Sequence, residues 1–291
     1  MMNTQHHHQQ HNLTGIVLMC IGVAALCIND ALAKTLMDYY SPIQIIFLRN
    51  VIALPFAVIL ALKMGGTHAL RSHRIGVHFL RGFIWITATV LFFTSIHHLG
   101  LAEATAIAFV APLFITALSA LFIARVGWRR WGAVVVGFIG VLVIVRPGAA
   151  TFDVMSLLPI ATAFAYAILM LSARFVDTRE SMWTLLLYLS LTSAILTSIP
   201  VMFVWNPIRA EDIWLFMAIA LCGSLGMTMI AQAFRFAEVA PFNYTALIWA
   251  TALGWLFWGE TSDVLTFVGA AIITASGLFV IFRESKVTMK S

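Results

Sequence analysis

The chain has 291 residues, of which 62% are apolar and only 10% charged, against roughly 45–50% and 25% in soluble domains. Seventeen Lys and Arg with twelve Asp and Glu cannot cover a 32.1 kDa globule, and a mean hydropathy of +0.97 excludes disorder and coiled coils. Cys20, Cys27 and Cys222 all lie inside apolar runs, which excludes a disulfide scaffold, and the net charge of +5 finds its explanation in its placement along the loops.

What remains is a polytopic membrane protein, in which a bilayer core about 30 Å thick asks for about 20 apolar residues per helix. Ten such runs follow in chain order, near 13–37, 42–62, 76–98, 102–123, 131–146, 156–174, 183–204, 212–234, 240–258 and 264–282. Residues 1–12 are predicted as a polar tail that includes His6, His7, His8 and His11. They carry no Lys or Arg, and no cleavage signal follows at Asn29-Asp30-Ala31-Leu32-Ala33-Lys34, so the first run reads as a membrane helix rather than a signal peptide. Runs such as Val134 to Val145 are apolar on nearly every side, without the alternation of a membrane β-barrel. The connections are short and marked by Gly, Pro and charge: Lys63-Met64-Gly65-Gly66, Arg146-Pro147-Gly148, Trp205-Asn206-Pro207.

With a cytoplasmic N-terminus, alternating helices place Lys63, Arg71, Arg74, Arg125, Arg129, Arg130, Arg174, Arg179, Arg235, Arg283, Lys286 and Lys290 on the cytoplasmic side. Only Arg146 and Arg209 fall outside, so both termini are expected in the cytoplasm and no nucleic-acid partner is needed to explain the charge. Residues 102–125 and 237–260 align without a gap at an offset of 135, with eight of 24 positions identical, including Glu103 with Glu238 and Thr116-Ala117-Leu118 with Thr251-Ala252-Leu253. The offset divides the chain into five-helix halves, 13–146 and 156–283, followed by a short tail, 284–291. Five is odd, so the second half enters the membrane inverted. The expected fold is an all-α integral membrane protein of ten transmembrane helices in two inverted five-helix repeats, with a substrate site between the halves.

Several local patterns carry a resemblance. They are Asn29-Asp30 to Lys34, Phe47-Leu48-Arg49, Arg81-Gly82, Ala111-Pro112-Leu113-Phe114, Gly127-Trp128-Arg129-Arg130-Trp131 with Gly137 and Gly140, and Gly259-Glu260. In their order and spacing over about residues 13–284 they resemble the EamA family of the drug/metabolite transporter superfamily. One departure is Arg125, where family members often carry a glutamate at the end of the fourth helix. The run Trp131 to Pro147 and Glu180-Ser181-Met182 resemble the branch that contains S-adenosylmethionine and riboflavin carriers. The resemblance implies a cavity lined by helices one, three, four, six, eight and nine. That makes Trp85, Tyr166, Tyr244 and Trp249 the aromatic residues suited to stacking on a flat ring.

Ionisable groups inside a span are costly, about 2.5–3.5 kcal/mol each on insertion scales, and are functional candidates for that reason. Asp30 and Arg49 lie about eight residues either side of the first outer loop, hence ~12 Å deep on consecutive helices. They read either as a binding or proton-coupling group in the outer half of the cavity or as a pair that locks two helices. Lys34 is one turn from Asp30 and competes for it, with Asn29 adjacent. Arg81, one turn into the third helix, either snorkels to the headgroups or contacts an anion. Glu103 and Glu238 read as first-turn dipole partners. Gln232 and Asn243 suit hydrogen bonds to a substrate or between helices. Pro112 is predicted to kink the fourth helix, as a hinge or a static bend.

No phosphate-cradling loop, His-Glu-x-x-His or Gly-x-Ser-x-Gly motif occurs, so no cofactor, metal or catalytic residue is assigned. The expectation is a secondary transporter of a small organic metabolite in the cytoplasmic membrane, not an enzyme, with riboflavin or S-adenosylmethionine as candidate substrates and a proton as possible coupling ion. A general amino-acid, metabolite or drug exporter of the same fold is the alternative. An intramembrane enzyme and a channel are the rivals of different class. A monomer is expected rather than an obligate oligomer.

Overall fold

The computed structural model describes residues 2–122, 128–149, 152–176, 179–236 and 239–288, and among these there is helix and no strand. The helices are α1 (Met2–Leu36), α2 (Pro42–Gly65), α3 (Ile75–Leu99), α4 (Leu101–Ala108), α5 (Ala111–Phe122), α6 (Trp128–Val145), α7 (Leu157–Ser172), α8 (Met182–Ser198), α9 (Pro200–Phe203), α10 (Ile213–Phe236), α11 (Thr245–Trp258) and α12 (Val264–Thr288). Over its described residues each of the ten apolar runs is therefore mostly helical. Among the described residues seven helical stretches are long and apolar enough to cross a bilayer unaided, and Trp131–Val145 and Met182–Ser198 are shorter apolar helices. In hydrocarbon a backbone must satisfy its own N–H and C=O groups, and a helix does so within one segment. The protein is an all-α integral membrane protein.

Local chemistry sets several boundaries. Ser41 Oγ accepts the Gln44 N–H (3.2 Å) with Pro42 next to it, and Ser181 Oγ accepts the Thr184 N–H (3.2 Å), so two helices open on the same serine cap. The run 102–123 is not one kinked helix. It breaks at Phe109-Val110, because Pro112 has no N–H for the Ala108 carbonyl and its ring would clash there. The discontinuity falls ahead of the proline instead of at it. A second such break lies further along the chain, where a 3₁₀ turn over Ala240–Tyr244 leads into α11.

The helices pack in pairs: α1 on α10, α3 on α7, α2 on α8, and α6 on α12. At the last crossing a Cβ on Gly140 would come 3.0 Å from the Gly269 carbonyl oxygen, so bare glycines permit the close approach. Buried clusters fill the rest, one around Phe93, Ile45, Ile46 and Ile219, another around Leu113, Val141 and Ile273.

Helix junctions gather at two ends of the bundle. The Leu36 end holds the α1–α2, α3–α4, α9–α10 and α11–α12 junctions, joined by Gln44 with Asn206 and by Lys34 and the Leu101 N–H with Glu260. The Gly65 end holds the α2–α3 and α7–α8 junctions, joined through Glu180.

Candidate functional site

Between the helices lies a cavity of about 380 Å³, within the range of roughly 300–1,000 Å³ usual for small-ligand sites. Its wall comes from α1, α2, α3, α4, α5, α7, α8, α10 and the α11 start. Most of it is apolar and aromatic, with Trp85, Phe92, Phe109 and Trp183 prominent. Hydroxyls from Thr89, Thr105, Thr162, Ser190, Ser224 and Thr228 are scattered through it. Most of these hydroxyls are spent within their own helices, as Thr89 Oγ1 is on the Trp85 carbonyl (2.8 Å) and Thr228 Oγ1 on that of Ser224 (2.7 Å). Among the described lining residues the charges are one acid, Asp30, and one base, Arg49.

Asp30 accepts a hydrogen bond from Asn29 Nδ2 (3.0 Å). Arg49 lies over two rings, its guanidinium carbon 6.0 Å from the centre of Trp85 and 5.9 Å from that of Phe93. No ion pair within 4 Å joins the two charges. The Asn29 carbonyl oxygen is buried with no partner. Opposite, on α10, is Gly223. A Cβ there would come 3.0 Å from Asn29 Oδ1 and 3.9 Å from Arg49 Cδ. Sequence reading passed over Gly223, since a glycine in a membrane helix carries no signal of which side chain it faces.

The remaining sequence candidates divide. Trp85, Tyr166, Asn243 and Pro112 line the cavity. Tyr244 lies behind the wall, its ring stacked on that of Phe109 at 4.8 Å. Trp249 and Gln232 do not line it, and Trp249 is 42% exposed. Lys34 has another partner than Asp30: it is ion-paired with Glu260 and stands 5.0 Å over the Trp258 ring. Gly259 is left-handed (φ 64°) and turns the chain so that the Glu260 carboxylate also takes the Leu101 N–H (2.9 Å). Arg81 is 5% exposed and neither snorkels nor reaches the cavity. It donates to the Leu169 carbonyl and to Ser172 Oγ, both at 2.9 Å, at the C-terminal end of α7, where free carbonyls attract a cation. Glu238 and Arg125 lie outside the described residues. Among the described residues no group of three or more His, Cys, Asp or Glu side chains could hold a metal ion.

Two loop clasps flank the cavity. At the Leu36 end, Tyr40 Oη donates to Asp212 (2.7 Å) and accepts the Arg209 N–H (3.0 Å), while Gln44 and Asn206 exchange two bonds (2.7 and 2.9 Å). At the Gly65 end, the Glu180 carboxylate takes Ser72 Oγ (2.8 Å), the His73 N–H (2.7 Å) and His78 Nε2 (2.6 Å). Arg74 adds a bond to the Phe175 carbonyl (3.2 Å). Burial pushes the Glu180 carboxyl up, and the bonds from His73, His78 and Ser72 outweigh it, so the group sits below the usual carboxylate range.

The sequence of residues 13–146 matches the EamA-like transporter family. The S-adenosylmethionine uptake transporter of Rickettsia prowazekii is 30% identical over 94% of each chain. The chain belongs to the EamA-like transporter family, within the drug/metabolite transporter superfamily. This EamA-like protein is also 28% identical to the riboflavin transporter of Vibrio cholerae over 96% of each chain. It is 26% identical to the pseudopaline exporter CntI of Pseudomonas aeruginosa, over 90% of this chain and 94% of the relative. A solved crystal structure shares its fold, with a TM-score of 0.61 over 93% of this chain and 96% of the other at 18% identity. The protein is a multi-pass membrane transporter.

Proposed function

We propose that the chain is a secondary transporter of ten spans in two inverted halves, moving a small organic metabolite across the cytoplasmic membrane by alternating access. The pairing of its helices carries this reading. With α4–α5 taken as the fourth span and Ala240–Trp258 as the ninth, the first span packs on the eighth and the sixth on the third. The second packs on the seventh and the fifth on the tenth. Exchanging the halves turns each pairing into another or into itself. Phe109 and Tyr244, which stack on one another, are 135 positions apart, the offset of the sequence repeat.

A cavity between two such halves, with a clasp at each end, suits alternating access. One end opens while the other stays clasped. The excess of Lys and Arg in the Gly65-end loops supports a cytoplasmic Gly65 end, with both termini on that side. S-adenosylmethionine and riboflavin are the first substrates to test, on the names of two relatives, with export of a larger metabolite next on the name of the third.

Counterflow tests the reading. The full chain in proteoliposomes, preloaded with an unlabelled compound, accelerates entry of its labelled form and saturates. Flux that is neither saturable nor accelerated from the far side indicates a channel. Chemical conversion of the compound indicates an enzyme.

A further inference from the structure

The two charges in the cavity, resting on the transporter reading above, point to more than a cavity of suitable size. A buried charge persists when it is paired, and breaking one partner from a buried pair is costly. Asp30 and Arg49 face the same cavity without meeting within 4 Å, and among the described residues no other acid or base lines it. Arg49 rests against the Trp85 and Phe93 faces, and among the described residues its guanidinium makes no hydrogen bond or ion pair. The Asn29 amide donates one N–H to Asp30 and keeps a side-chain oxygen without a donor, at 3% exposure of the residue. So the site holds one cation without an acceptor and, on the neighbouring helix, a carboxylate whose one donor is the neutral Asn29 amide and an amide oxygen that has no donor. Gly223 lets the α10 backbone come close to both, since a Cβ there would stand 3.0 Å from Asn29 Oδ1 and 3.9 Å from Arg49 Cδ.

We propose that this cavity recognises the α-amino-acid end of its substrate: Arg49 takes the carboxylate, and Asp30 with the Asn29 carbonyl takes the ammonium. The guanidinium fork matches a carboxylate in two parallel bonds. The acid beside it fixes the polarity of the ligand. The rest of the substrate lies along Trp85, Phe92 and Phe109 toward Tyr166, a wall with no further charge, which suits an apolar or flat-ringed remainder. A neutral flat molecule leaves both charges unpaired, and a simple anion leaves Asp30 so. The arrangement therefore selects S-adenosylmethionine or a large amino acid over riboflavin.

The test measures binding to the full chain in nanodiscs by thermal shift and calorimetry. The probes are S-adenosylmethionine, methionine and phenylalanine, against decarboxylated S-adenosylmethionine, 5′-methylthioadenosine and riboflavin. At least one of the three zwitterions is expected to bind, and removing its carboxylate weakens binding about ten- to hundredfold, the loss of a charge-assisted bond pair. In Arg49→Gln that gap closes: S-adenosylmethionine falls to the level of its decarboxylated analogue, which itself is unchanged. Asp30→Asn, nearly isosteric, weakens every ammonium-bearing probe. The comparison of analogues on the unaltered chain needs no variant to fold. Riboflavin or 5′-methylthioadenosine binding as tightly as the zwitterions overturns the proposal, as does a gap that persists in Arg49→Gln or a panel in which no zwitterion binds. Counterflow of a compound without an amino-acid end overturns this proposal alone. Counterflow of no compound at all removes the transporter reading beneath it.

Discussion

At the Leu36 end the residue ahead of the N-cap serine of α2, Tyr40, reaches across to the α9–α10 turn. At the Gly65 end the residue ahead of the N-cap serine of α8, Glu180, reaches across to the α2–α3 turn. The placement is the same and the chemistry differs. Around Tyr40 the load is divided: Arg209 holds Asp212 within its own turn (2.7 Å), Gln44 and Asn206 bond independently, and Lys34 with Glu260 ties a third junction. Around Glu180 one carboxylate, its side chain 1% exposed, holds three donors. A clasp with many small ties loosens by steps, whereas a clasp with one hub opens at once. The hub also contains an imidazole, and an imidazole–carboxylate contact is an ion pair only while the ring is protonated. A guanidinium–carboxylate contact stays charged.

Removing the hub is the strongest way to break this symmetry. Glu180→Ala leaves His78, Ser72 and the His73 N–H without their acceptor. Its expected cost is about 2–4 kcal/mol, read as an apparent Tm lowered by several degrees in detergent. Glu180→Gln keeps an acceptor and loses about half as much. Both variants keeping the Tm of the unaltered chain would mean the clasp carries no load. Acid reaches the same group more gently. Because the Glu180 carboxyl is held below its ordinary value, its contribution is complete above the usual carboxylate range and disappears as pH falls through the depressed value. The groups facing it are His73, His78 and Ser72, with Arg74 in the same turn. The apparent Tm of the unaltered chain should then drop on acidification below about pH 4 by more than that of Glu180→Gln. Parallel curves would assign the acid limb to other carboxylates.

The ion pair at the opposite end comes next in size. Glu260→Gln leaves Lys34, whose side chain is 9% exposed, without its counter-charge, yet keeps an oxygen for the Leu101 N–H. A loss of about 1–2 kcal/mol is expected. Lys34→Met with Glu260→Gln should recover part of it, since the ammonium is then no longer left without a partner. A double variant as unstable as the sum of the two singles would deny the pairing.

How much of this was legible in the sequence depends on the kind of residue. The apolar runs announce helices because lipid allows the backbone little else, and over its described residues each run is mostly helical. Asp30 and Arg49 announce themselves by cost, since a charge at that depth needs a reason. Glu180 and His78 do not. An acid next to a serine cap and a histidine in the first turn of α3 look like ordinary loop-edge polarity, and only the fold brings them within 2.6 Å across 102 positions. Lys34 shows the converse error. Sequence spacing favours Asp30 one turn away, but the side chain finds Glu260, 226 positions on, because the left-handed Gly259 turns that acid back over the α3–α4 junction. Pro112 was legible in kind and not in place: the break falls at Phe109-Val110, where the lost bond and the ring clash act on the preceding turn.

The smallest change tests whether the Leu36 end is as divided as its bonds suggest. Tyr40→Phe removes one hydroxyl and keeps the ring, which stands edge-on to Phe216 at 5.1 Å. Asp212 retains Arg209, and Gln44 retains both bonds to Asn206, so the only group left without its partner is the Arg209 N–H. One neutral-to-charged bond and one backbone bond, neither leaving a buried charge, amount to about 1 kcal/mol, a shift of about 2–4 °C for a chain of this size. The contrast with Glu180→Ala is the measurement that matters, because both substitutions remove the reaching group of a clasp. If Tyr40→Phe costs as much as Glu180→Ala, the Leu36 end too hangs on one residue, and the two ends differ in chemistry without differing in how they open.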